Sequence, residues 1–162
     1  MNFNLVYLFQ AAGVLGPSMG AGAALYISAQ AVPLLLMAPA DVGLAQFKYM
    51  YLLGKRTFPF VAIGSTLAQG CLAYWERRRS VLSSNLHLLA GSACTCVILY
   101  TLLFMRNING TLLSMNPDLI LKSTEATVAF RNLIQKWCIK NLGRCTLFFF
   151  AAVSSFAGTF LF

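Results

Sequence analysis

The stretch LHLLAGSACTCVILYTLLFM, residues 86–105, runs for twenty residues without a formal charge. A helix rises about 1.5 Å per residue, so about 20 apolar residues match the hydrocarbon thickness of a bilayer. Read as a membrane span, this stretch sets the fold class of the chain. Three further runs follow the same reading: residues 5–29, 58–75 and 145–162. The first belongs to a longer apolar run from Leu5 to Met37, interrupted by Pro17 and Pro33. It is too long for one straight span, so its C-terminal part is expected to bend or leave the membrane. Met1 to Phe9 lacks a basic n-region, so no cleaved signal peptide is expected.

Composition agrees with a lipid-embedded chain. Of 162 residues, 59% are hydrophobic and 10% charged, against about 25% charged in soluble domains. Mean hydropathy is +0.72. The net charge of +8 comes from 12 Lys and Arg against four acids, Asp41, Glu76, Asp118 and Glu125. These basic residues lie between apolar spans rather than on one soluble face, which excludes a nucleic-acid partner and fits loops facing anionic lipid. Arg77, Arg78 and Arg79 fill the short link between the second and third spans, and nine basic residues fall in the longer links on the opposite side. Charge counting leaves the orientation open, because some of those nine lie far from span ends. The longest link, residues 106–144, contains an Asn116-Pro117-Asp118 helix start and then an amphipathic helix reaching Arg144.

The five cysteines form no disulfide framework or metal spacing. Cys71, Cys94 and Cys96 read as small buried hydrophobes, and Cys138 and Cys145 as near-surface residues. A single histidine, His87, makes neither a zinc site nor a two-His iron site, and at the start of a span it reads first as interfacial. Metal and cofactor are therefore expected to be absent.

Polar residues inside or beside the spans mark the candidate site. Gly16 and Gly20 have the small-xxx-small spacing of closely packed helices. Tyr26, Ser28 and Gln30 follow and need partners in an apolar medium. Thr101, Met105, Asn109 and Leu112 share one helical face, and so do Leu133, Trp137, Asn141 and Arg144. The sequon at Asn109-Gly110-Thr111 lies so close to the third span that it is read as a chance match. An interfacial Trp137 flanked by Lys136 and Lys140 is ordinary for a membrane-surface helix. An arginine at the mouth of a span invites a partner or a bound anion. Lys136 and Lys140 are thus assigned to lipid headgroups, and Trp137, Asn141 and Arg144 to the bundle.

Four segments carry a family resemblance. GAALYISAQAVP (22–33) resembles the first-span signature of the anthrone oxygenase family, small four-span proteins of fungal polyketide pathways. YMYLLGKRTFP (49–59) is similar to that family's aromatic-then-Gly segment, TLLFMRNING (101–110) to its Thr…Met…Asn segment, and LIQKWCIKNLGR (133–144) to its closing Leu, Trp, Asn, Arg motif. Two positions depart from the pattern. Tyr26 stands where members carry a smaller residue, and Leu99-Tyr100 replaces a usual proline.

The resemblance implies oxidation of an anthrone to an anthraquinone by O₂ without a conventional cofactor, in an endoplasmic-reticulum or vesicle membrane. In that reading Arg144 holds the enolate or phenolate oxygen, Asn109 and Asn141 orient it, and Trp137 stacks on the polycycle, with Tyr26, Ser28 and Thr101 lining the substrate site. His87, Asp41 and Tyr26 are the candidate bases. The expected fold is all-α, a single domain (1–162) forming an integral-membrane four-helix bundle, with an added amphipathic helix between spans three and four. Expected partners are an aromatic polyketide, O₂, lipid, and copies of itself or enzymes of the same pathway. Two other readings predict different behaviour. A non-catalytic scaffold uses the Trp137 face as a protein contact. A metabolite transporter needs internal repeats or paired intramembrane charges, which this sequence lacks.

Overall fold

A computed structural model describes residues 3–161, so the expectations that rest on Met1, and on Phe162 as the end of the last span, lie outside the described residues. Every described element is helical. In chain order these are α1 (Phe3–Tyr26), a π turn (Ile27–Ala31), α2 (Val32–Met37), α3 (Ala40–Glu76), α4 (Val81–Tyr100), a second π turn (Thr101–Met105), α5 (Arg106–Ser114), α6 (Pro117–Lys122) and α7 (Thr124–Phe160).

Local chemistry sets the boundaries. Ala38 precedes Pro39 and is extended, with ψ 160°, which ends α2. Ser80 caps α4 by accepting from the Ser83 N–H, and Ser123 caps α7 by accepting from the Ala126 N–H. Asn116 accepts from the Asp118 N–H, with Pro117 at the first helical position of α6. Pro33 has no N–H to give, and its ring crowds the carbonyl four residues back. The first π turn lies directly before it, where a widened helix relieves that crowding.

Four long helices, α1, α3, α4 and α7, pack as a bundle, with α1 and α4 running opposite to α3 and α7. Gly16 lies against the Ser65 side chain of α3. A Cβ on Gly20 would stand 2.9 Å from the Phe148 ring of α7, so the small-xxx-small pair serves close helix packing as its spacing suggests. The joined helices over Leu5–Met37, Val81–Ser114 and Thr124–Phe160 are long and apolar enough to cross a membrane. The chain is an all-α membrane protein.

Residues 38–56, which lie between the first two apolar runs of the sequence, are mostly the start of α3. Leu44 and Phe47 fall on one face and are fully buried. They join Val32, Leu35, Leu112, Ile120, Phe130 and Ile134 in a core at one end of the bundle. The amphipathic helix expected between spans three and four is likewise not separate. Its apolar stripe continues in register into the last span, so α7 is one helix of 37 residues, about 55 Å long.

Both π turns are held by side chains from α7. The Cys138 thiol donates to Ser28 O at 3.4 Å, and Lys140 Nζ donates to Phe104 O at 2.6 Å. Lys140 therefore satisfies a backbone carbonyl freed by the widened turn, where headgroup contact was expected. Cys138 packs half-buried against the first π turn and Cys145 against α1, whereas Cys71 and Cys96 face outward and only Cys94 of the span cysteines is buried.

Candidate functional site

A cavity of about 310 Å³ opens where the spans meet the helical end core. That volume lies at the lower end for small-molecule pockets. Its walls are mostly apolar: Phe58, Pro59 and Ala62 of α3, Val97 and Ile98 of α4, and Ile27 and Leu102 of the two π turns. Tyr51, Lys55, Thr101, Asn109, Trp137 and Arg144 supply the polar groups.

The polar wall is built in layers from α1 outward. Asn141, with no exposed surface, donates from Nδ2 to Ala24 O at 2.8 Å and to Ser28 Oγ at 2.7 Å. Ala24 and Ser28 are one turn apart, so one amide spans two turns of the neighbouring helix. Its oxygen then accepts from Arg144, from Nε at 3.1 Å and also from Nη2. Both donors and the acceptor of Asn141 are thereby used.

The Arg144 guanidinium, only 8% exposed, lies over the Phe58 ring at 4.9 Å and over the Trp137 ring at 5.8 Å. Trp137 donates from Nε1 to Asn109 Oδ1 at 2.8 Å and meets Phe47 edge-on at 5.3 Å. No carboxylate pairs with Arg144 among the described residues. A cation held by a neutral amide and two rings, at the wall of an apolar cavity, favours an anionic group beside it.

The structure brings together Ser28, Asn109, Trp137, Asn141 and Arg144, which come from α1's π turn, α5 and α7. Thr101 lines the same cavity, with its hydroxyl committed to Val97 O at 2.8 Å. Buried Asn109 is bonded to Trp137, an arrangement that leaves no room for a glycan at the sequon.

Three expected participants lie elsewhere. Tyr26 is 57% exposed: it sits about 200° around the helix from Ala24 and Ser28, on the outer face. Asp41 is in the first turn of α3, far from the cavity. His87 is buried rather than interfacial, because it lies deep in a second network at the opposite end of the bundle.

In that network His87 Nδ1 meets Gln69 Oε1 at 2.7 Å. Gln69 Nε2 donates to Gly13 O at 2.8 Å and to Ser155 Oγ at 2.6 Å. Ser155 and Arg144 are eleven residues apart on α7, about 16 Å along its axis. A more open groove at Thr66, Gly91 and Thr95 touches His87 from outside.

The position of this network predicts a structural role. Gln69→Leu is expected to lower stability by about 1–3 kcal/mol, since it removes the amide that His87 Nδ1 and Ser155 Oγ bond. Turnover per folded molecule should stay within about twofold. Thermal unfolding and activity measured on the same detergent preparation check both statements.

The sequence reading passed over Tyr51, Lys55 and Phe58 as cavity residues. A signal was present: Tyr51, Lys55 and Pro59 recur every fourth residue, which is one helical face.

A family model described as anthrone oxygenase matches residues 47–154. The match begins in α3 and includes every polar residue named above as lining the cavity, while Ser28, behind Asn141, lies outside it. No curated protein and no solved structure matches the chain.

Proposed function

Because this chain belongs to the anthrone oxygenase family, we propose that it oxidises an anthrone-type aromatic ketone to the corresponding quinone with O₂. The balance is simple. The ring CH₂ becomes C=O, one oxygen atom enters the product and the other leaves as water, with no external reductant. The aryl ketone acidifies that CH₂, and its enolate is electron-rich enough to react with O₂. The resulting ring hydroperoxide then loses water to give the second carbonyl.

The observation that carries this reading is buried Arg144, paired with no carboxylate among the described residues and framed by Phe58 and Trp137 at the wall of an apolar cavity. Such a group stabilises oxygen charge that develops as the substrate ionises. Among the described residues, the cavity lining includes neither a carboxylate nor an imidazole. The residues therefore favour stabilising the enolate, with its proton leaving to water at the mouth, over abstraction by a strong side-chain base. Trp137 and Phe58 offer faces to a flat polycycle. In this reading residues 58–75 of α3 form a fourth span, and the protein works in an endoplasmic-reticulum or vesicle membrane on an aromatic polyketide.

The test is O₂ uptake by detergent-purified, metal-stripped protein given an emodin-anthrone-like substrate, with the spontaneous rate subtracted. Quinone formed in step with O₂ consumed supports the proposal. No acceleration, from folded protein that binds the anthrone, moves the assignment to an accessory role.

A further inference from the structure

The cavity has two cationic side chains and, among the residues lining it, no anionic one. Arg144 is the deep one. Lys55 is the other: it is exposed and one turn along α3 from Tyr51, and no hydrogen bond or ion pair engages it among the described residues. The nearest acid on its own helix, Asp41, is fourteen residues away, about 21 Å along the axis. Phe58, whose ring lies under Arg144, is three residues from Lys55, about 4.5 Å along α3. The cavity is thus lined by one buried cation, Arg144, and one exposed cation, Lys55.

We infer that Lys55 is a specificity residue that selects substrates carrying an acidic substituent, such as a ring carboxylate, at the end remote from the reacting ketone. This rests on the aromatic-ketone reading above and deepens it. Arg144 takes the oxygen that becomes charged, and Lys55 takes a group that is already charged. A partly exposed cation gives a modest preference, because water and salt screen it.

Binding tests this separately from turnover. The probes are anthraquinone-2-carboxylate and its neutral carboxamide, added to protein in phosphatidylcholine nanodiscs and read by quenching of Trp137 fluorescence in a Trp75→Phe background, since the chain has two tryptophans. Wild type is expected to bind the carboxylate about two- to fivefold more tightly than the carboxamide, a gap that narrows at 1 M salt. Lys55→Gln should abolish the preference while leaving carboxamide binding unchanged, and Lys55→Arg should restore it. Lys55 is exposed and unpaired, so neither change threatens folding.

An unchanged preference in Lys55→Gln overturns the inference and leaves Lys55 as a residue reaching for headgroup phosphate. Equal loss of both ligands also overturns it, since that marks a packing role. If folded wild-type protein binds neither probe, the aromatic cavity itself is refuted and this inference falls with it.

Discussion

Arg144→Met is expected to lower anthrone turnover by about two to three orders of magnitude, the scale seen when one preorganised donor to a developing oxyanion is removed. The guanidinium is in place before the substrate ionises. Asn141 fixes it through Nε and Nη2, and the Phe58 and Trp137 rings cover its faces. Methionine fills similar space and removes a buried cation, so the fold loses little from the exchange itself. The Asn141 oxygen is left without its donors, at about 1–3 kcal/mol. Arg144→Lys keeps the charge but not the planar fork, so it should give intermediate turnover with unchanged protein level in the membrane. Single-turnover kinetics in nanodiscs separates this from weaker binding. Wild-type turnover in either variant would remove Arg144 from the site.

Trp137→Ala is expected to cost about 3–5 kcal/mol of stability, the usual range for deleting a buried large aromatic. Trp137 is 3% exposed and meets Phe47 edge-on, and Leu44, Phe130 and Ile134 share its cluster. It also forms one wall of the cavity and bonds Asn109 across to α5. Alanine therefore loosens core and site together. Trp137→Phe retains most of the ring but leaves Asn109 Oδ1 without its N–H donor, which should cost about 1–3 kcal/mol. Thermal unfolding in detergent distinguishes the two. If both variants unfold at the wild-type temperature, the ring is not part of the packed end core.

The membrane class was legible because it depends on sums over many residues. Twenty uncharged positions at 86–105 are sufficient whatever they touch. The Trp137, Asn141 and Arg144 stripe was legible because helical spacing alone puts those side chains on one face. The extents of α3 and α7 were not. Whether Leu44 and Phe47 continue a helix depends on α2, α5 and α6 arriving to cover them, and no local pattern reports that. His87 shows the same limit: its burial follows from Gln69 on a different helix, 18 residues away in sequence. Tyr26 and Ser28 are neighbours in the chain, and only the partner helix decides which of them faces inward.

The two π turns bear on how this chain tolerates insertion and deletion. A π turn accommodates one residue more than the α-helical turn it replaces. Deleting one residue within 101–105 would let the helix close into regular α form and leave the face of all that follows nearly unchanged. Asn109 would keep its place on the cavity wall, whereas a deletion in the regular turns of α4 would carry it about 100° away. A single-residue gap at the π turn would therefore leave this cavity standing, and one in the regular turns of α4 would not.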